Sequence, residues 1–361
     1  MILLAIIPIL LLLLIVVYVC NCIRKISFLN KIGSKYTPWI IVIIFMLIII
    51  LVLGYVDYFV IVFHLALFFG IAKFFSWIIQ KIFNKRISYD YLATGVLIFT
   101  IIYFGIGLYY GYHVFETKYE VFTDKEIGNS KFRIVQLSDL HLGTTFDGKG
   151  LIKYVDRINK LDADIVVITG DFIDDDTKKS DMIDACVALG NIKSNYGVYF
   201  VYGNHDMGYF NYRDFDDYDF RGELRKNNVN ILEDTFVELG GNIYLVGRFD
   251  KININRKSID ELVTDLDKSK YIIDLNHQPN DYENEKNAGV DLVLSGHSHG
   301  GQMFPLGYVG LLIGANDRFY GMEKRDNTTF IVNSGLSSWA MDFKIGAKSE
   351  YVVVDIIKKT N

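Results

Sequence analysis

The chain has 361 residues, of which 51% are hydrophobic, and a formal net charge of −5. That apolar share exceeds what an ordinary soluble domain carries, and the length accommodates one large domain plus a further module. The mild acidity gives no indication of nucleic-acid binding.

The apolar excess lies in residues 1–114, whereas residues 115–361 mix charges with short apolar runs. Four stretches, Ile2–Cys20, Trp39–Val56, Tyr58–Ile79 and Leu92–His113, approach or exceed the roughly 20 apolar residues that span a bilayer. They predict four transmembrane helices and make the lipid bilayer the first expected partner. The first stretch lacks a preceding basic region and a small-residue cleavage site, so a retained helix is expected rather than a signal peptide. Arg24, Lys25, Lys31 and Lys35 follow the first span and Lys81, Lys85 and Arg86 follow the third, while the turn between the second and third offers Asp57. Lysine and arginine concentrate on cytoplasmic loops, so four crossings place the C-terminal domain outside the cytoplasm. Asp57, His64 and Lys73 lie in or beside the spans and are expected to be structural, Lys73 by snorkelling. Cys186 is the lone cysteine after the spans, so no disulfide forms within that domain.

Residues 115–130 read as a linker and 131–361 as one domain. There, strand-like runs alternate with helical patterns: FRIVQLS, LIKYVDRINKL, DIVVITG, residues 181–192, VYFVYG, then NIYLVG, YIIDLN, DLVLSG, FIVNSG and YVVVDII. Such alternation predicts an α/β sheet covered on both faces. Five of these strands end in polar clusters: QLSDLH, TGDFID, YGNHD, LNHQP and SGHSHG. In open α/β sheets the site forms at the carboxyl ends of strands, so clusters far apart in sequence can converge. They supply Asp139, His141, Asp171, Asn204, His205, His277, His297 and His299, including five of the seven histidines. Imidazole and carboxylate together suit zinc, manganese or iron. Leaving His205 aside, seven ligands exceed what one catalytic ion takes, so two divalent ions sharing a carboxylate are expected. The glycines among the clusters let backbone approach the ions or an anionic substrate closely.

The ordered set DLH, GDFID, GNHD, LNHQP and GHSHGGQ resembles the calcineurin-like metallophosphoesterase superfamily, in particular its membrane-anchored bacterial branch, over about residues 130–357. The resemblance implies a two-sheet αββα sandwich after the four-helix transmembrane region. It implies that Asp139, His141, Asp171 and His299 hold one metal, that Asp171 bridges, and that Asn204, His277 and His297 complete the second. His205 would be the acid, or stabilise charge, near the leaving group. The implied activity is hydrolysis of a phosphate ester or anhydride by an integral protein of a bacterial membrane. The substrate stays open among monoester, diester and pyrophosphate, an amphiphilic or cell-envelope phosphate included. The rival reading is a non-catalytic binding or sensor protein that uses the same fold as an extracytoplasmic receptor. Arg248, in VGRFD, is a candidate for substrate phosphate, with a surface salt bridge as the alternative. The aromatic and acidic stretch Met207–Arg221 is read as a cap, a membrane contact or a solvated loop.

Overall fold

The computed structural model of the chain describes residues 2–34, 36–209 and 212–359. Lys35 of the first basic loop and Phe210 and Asn211 of the aromatic stretch lie outside the described residues. The chain divides into two compact units, residues 1–107 and 108–361.

The first unit is built from α1 (Ile2–Ile23), α2 (Ser27–Asn30), α3 (Thr37–Phe83) and most of α4 (Tyr89–Tyr112). Where four spans were expected there are three long helices among the described residues of this unit, because the second and third apolar stretches are joined in the 47 residues of α3. The expected turn at Asp57 is helical and Asp57 is buried; the break comes at Gly54, with φ 84° and ψ 175°. One aspartate does not stop a helix, whereas glycine reaches positive φ at no steric cost. A straight helix of that length would run about 70 Å. Instead, Ile41, Val42 and Phe45 share one cavity with Thr94 and Ile101 of α4, while Phe68, Ala72 and Phe75 share another with Tyr91 and Phe99 of the same helix. The helix therefore folds back at Gly54. By length and composition, α3 and α4 are long and apolar enough to cross a membrane, and Leu11–Ile23 is a shorter apolar helix. Two of the polar groups here have partners within the unit: His64 Nδ1 lies 2.7 Å from the Val60 carbonyl, and Lys73 Nζ donates to the Tyr18 hydroxyl at 3.1 Å.

In the second unit, β1 (Phe115–Thr123) stands where a linker was expected. It pairs in parallel with β12 (Glu350–Lys358) along its whole length. FETKYEVFT leaves most of its side chains exposed or half-exposed, so it shows no apolar run to read. The order continues β2 (Lys131–Leu137), α5 (Gly148–Ile158), β3 (Ile165–Thr169), α6 (Lys179–Gly190), β4 (Val198–Val201), α7 (Asp217–Lys226) and β5 (Val229–Ile231). After these come β6 (Thr235–Leu239), β7 (Ile243–Gly247), α8 (Ile259–Val263), β8 (Tyr271–Leu275), α9 (Tyr282–Asn287), β9 (Leu292–Ser295), α10 (Leu306–Leu312), β10 (Gly321–Arg325) and β11 (Thr328–Val332).

The strands form two mixed sheets, ordered β1-β12-β2-β3-β4-β5 and β10-β11-β9-β8-β7-β6. Successive residues of a strand serve different layers. Ile134, Ile165 and Val167 meet Leu245, Ile273 and Ile331 between the sheets, whereas Val135, Val166 and Ile168 pack outward on Leu151, Val155 and Met182 of the helices. On the second sheet Val246, Ile272 and Val293 pack outward on Ile259, Leu262 and Tyr282. This is the helix–sheet–sheet–helix sandwich, and burial on both faces explains why its central strands read as unbroken apolar runs. The first layer of helices is positioned by local signals. Asp147 caps α5 by accepting from Gly150 N, and Leu151, Val155 and Ile158 recur on its buried face.

Candidate metal centre

Asp139 and His141 follow β2, Asp171 follows β3, Asn204 and His205 follow β4, His277 follows β8, and His297 and His299 follow β9. These carboxyl ends meet. Asp139, His141 and His299 bring ligand atoms within 4.8 Å of one another, as do Asp171, His277 and His297. Between the two groups stands Asp171, whose Oδ2 lies 3.1 Å from His277 Nε2 and 3.7 Å from His141 Nε2. Its Oδ1 accepts from His205 N at 2.8 Å, which fixes the carboxylate's rotation. Asn204 Oδ1 points at His277 Nε2 at 3.2 Å, and its amide nitrogen donates to the Tyr209 hydroxyl at 2.8 Å.

The imidazoles are oriented from behind. His141 Nδ1 is 2.8 Å from Asp174 Oδ2, His277 Nδ1 is 2.7 Å from the Thr169 carbonyl, and His299 Nδ1 is 3.3 Å from the Ser337 carbonyl. An acceptor at Nδ1 keeps the proton there and turns the Nε2 lone pair to the centre, as metal-ligating histidines require. His141 Nε2 and His299 Nε2 then face each other at 3.1 Å, about the separation of two nitrogens on one ion at roughly 2.1 Å. Nδ1 of His297 is buried and without a hydrogen-bond partner. An orphaned imidazole nitrogen aimed at an acidic, histidine-rich pocket fits a cation.

The backbone is shaped for this. Asp139, His141, Asp171, His297 and His299 all have positive φ, between 39° and 70°. Left-handed conformations in non-glycine residues cost of order 1–2 kcal/mol each and concentrate at functional sites. Glycine is required at Gly203, where a Cβ would come within 2.2 Å of Asp171 Oδ1. Asp206 organises the turns from below: its Oδ2 accepts from Asp171 N and Gly203 N, and its Oδ1 from Phe172 N and Ile173 N, at 2.8–3.0 Å.

Charge is balanced within the cluster. Burial would lower the His277 imidazole, but the Asp171 and Asp139 carboxylates hold it well above the usual histidine range. Burial would raise Asp171, yet His277 and His141 keep it far below the ordinary carboxylate range. Burial together with the His277 charge pushes His297 down to about 3. His205 lies beside the ligand set, with Nδ1 2.9 Å from Asp174 Oδ1 and its ring 4.9 Å from that of His141. Burial opposes its protonation, but Asp174 and Asp171 raise it above the usual histidine value.

Arg248 does not join the centre. It is buried, 3% exposed, and its Nη1 lies 2.8 Å from Asp281 Oδ2, 3.2 Å from Glu285 Oε1 and 3.8 Å from Asp274 Oδ2. The guanidinium is thus committed to carboxylates at α9, so the salt-bridge alternative is met by buried rather than surface partners. Sequence reasoning missed three positioning residues. Asp174, inside GDFID, orients His141 and His205 together. Arg213 donates to the carbonyls of Asp174 and Asp206 at 2.8 Å and of His205 at 2.5 Å, tying the loops after β3 and β4. Lys344 is fully buried and donates to the carbonyls of Ser334, Gly335 and Ser337, which support His299 from the loop after β11. The strand-end FIVNSG was the available signal for that loop. Within Met207–Arg221, Tyr209 covers the edge of the centre, its ring 5.1 Å from that of His205.

Residues 132–301 match the family model for calcineurin-like phosphoesterases. The chain is 30% identical over 320 residues to an uncharacterized metallophosphoesterase of Helicobacter pylori, covering 85% of this chain and 81% of that one. It is 32% identical to an uncharacterized metallophosphoesterase of Aquifex aeolicus, covering 68% of this chain and 92% of that one. It is also 31% identical to a Bos taurus transmembrane protein with a metallophosphoesterase domain, covering 61% of this chain and 52% of that one.

Proposed function

Because the chain belongs to the calcineurin-like phosphoesterase family, we propose that it is a membrane-anchored, dinuclear metal-dependent hydrolase of a phosphate ester or anhydride. The observation that carries this reading is Asp171, whose single carboxylate oxygen Oδ2 faces a histidine of each ligand group, His141 and His277. Asp139, His141, Asp171 and His299 would hold one ion, and Asp171, Asn204, His277 and His297 the other. Two divalent ions there, whether manganese, zinc or iron, would supply Lewis acidity toward phosphoryl oxygens and activate an attacking water.

The chain's own residues orient and deliver a proton. Asp174 holds Nδ1 of His205, which leaves Nε2 to donate toward the leaving oxygen. The Asp174 and Asp171 carboxylates raise its affinity for a proton, which favours the donor form. Arg213 and Asp206 hold the loops in register, so the groups need not reorganise as the reaction proceeds.

The membrane part of the proposal rests on the fold-back of α3 at Gly54. It divides the apolar unit into four rods, each taken as one crossing. The basic loops then put the catalytic domain outside the cytoplasm, facing lipid-linked or cell-envelope phosphates. The experiment is a turnover screen of chelator-stripped protein reloaded with one metal at a time, over an aryl phosphate monoester, a diester and a lipid pyrophosphate. Hydrolysis of at least one is expected only after reloading; equal turnover by the stripped protein would exclude the reading.

A further inference from the structure

Residues 303–315, MFPLGYVGLLIGA, carry no charged side chain. In a water-facing domain such a run is normally folded inward, and here it is not. Phe304, Leu306, Tyr308, Val309 and Leu311 are exposed, Leu312 is 86% exposed and Ile313 74%, while Gly307 is the buried residue of α10. A contiguous apolar surface of this kind marks a binding face.

Its attachment points to what covers it. Gln302, the residue before the run, is clamped to the loop of residues 336–349: its Nε2 donates to the Trp339 carbonyl at 2.8 Å, and its Oε1 and O accept from Trp339 N at 3.1 Å and Gly346 N at 2.8 Å. The same loop receives the end of α4. Ser349 N donates to the Tyr110 carbonyl at 2.9 Å, and Ser349 Oγ to the Gly111 carbonyl at 3.0 Å. Three residues after α4 ends at Tyr112, β1 begins at Phe115. The loop also borders the metal centre, because Ser337 holds His299 and the Trp339 ring lies 5.6 Å from that of His205. One short loop thus joins the end of an apolar, membrane-length helix, the uncharged run and the candidate catalytic histidine.

We propose that residues 304–313 are a membrane-insertion segment, lying in the lipid bilayer beside the end of α4 and presenting the metal centre to phosphates carried by lipids. The proposal rests on the reading of α4 as a crossing helix and of the centre as a phosphohydrolase. Interfacial helices bind bilayers through exposed large apolar and aromatic side chains, which this segment supplies without a charge to desolvate. The substrate class that follows is an amphiphilic phosphate ester or anhydride whose tail stays in the bilayer.

The test is site-specific photocrosslinking of the full-length chain in phosphatidylglycerol–phosphatidylethanolamine vesicles, with a benzophenone amino acid at Leu312 or, as control, at Tyr218 on α7. Lipid adducts are expected at Leu312 and not at Tyr218. Absence of adducts at Leu312, equal adducts at both positions, or adducts from Leu312 to a second copy of the chain would overturn the proposal. In the same vesicles, the pair Leu312→Asp and Ile313→Asp should lower hydrolysis of a vesicle-borne lipid phosphate by at least about tenfold while leaving a soluble aryl phosphodiester unaffected. Equal effects on both substrates contradict the membrane role. Lipid adducts at Leu312 without any phosphate hydrolysis would leave the insertion standing and remove the hydrolase reading instead.

Discussion

His205 forms a third close group with His141 and Asp174, but it is held by Asp174 and belongs to neither of the two sets that share Asp171, so it separates an enzyme from a binding protein on the same fold. His205→Ala should keep the fold and both ions while turnover falls by about 10²- to 10⁴-fold, least for substrates with good leaving groups, which need little protonation. Comparing kcat for a nitrophenyl and an alkyl ester checks this; equal turnover of the alkyl ester by variant and parent removes His205 from the chemistry. His277 yields a pH prediction. In the metal-free chain the carboxylates raise its proton affinity, so it is charged at neutral pH and must lose that proton to become a ligand. Metal uptake at pH 7 should therefore release protons, and affinity should rise with pH until the solution passes the raised His277 value. Titration calorimetry in buffers of different ionisation enthalpy reads this directly, and no proton release at pH 7 would contradict it. The convergence of the candidate ligands was legible because each sits in a polar cluster that ends an apolar strand. Asp174 and Arg213 were not, since they act by hydrogen bonds between loops that only the fold brings together. Arg248 misled because VGRFD reads alike whether its cation faces the site or is buried beneath a helix.

Among the elements, the central strands β2, β3, β4, β8 and β9 were legible from their apolar runs, and β1 was not, because an edge strand half open to water keeps a mixed sequence. The same contrast applies to α3. Hydropathy located both of its arms, but it put the break at Asp57, the visible polar residue, when the geometry turns at Gly54. If the two arms are separate crossings, reporter fusions near Lys31 should score as cytoplasmic, and those near Glu116 and at Asn361 as extracytoplasmic. A C-terminal fusion active only in the cytoplasm would reverse the proposed orientation and direct the search to intracellular phosphates. Gly54→Ala tests the turn itself, since alanine at φ 84° is strained where glycine is not. It should lower expression of the membrane-inserted chain without changing the metal content of what does insert.

At the level of the whole molecule, two sheets bring loops from across the sequence to one face, and none of the eight candidate site residues described above requires the apolar unit to complete it. Activity and metal loading should therefore follow the globular unit, while the apolar helices govern where the substrate is met. The central claim is that this face holds two ions bridged by Asp171 and that both are needed for hydrolysis. The most direct measurement is elemental analysis of active, vesicle-reconstituted protein during metal titration, run beside Asp171→Asn. The account predicts about two ions per chain at full activity, and loss of both the second ion and most turnover in Asp171→Asn. Full activity at one ion per chain, or an Asp171→Asn variant that binds two ions and turns over at the parent rate, would contradict it.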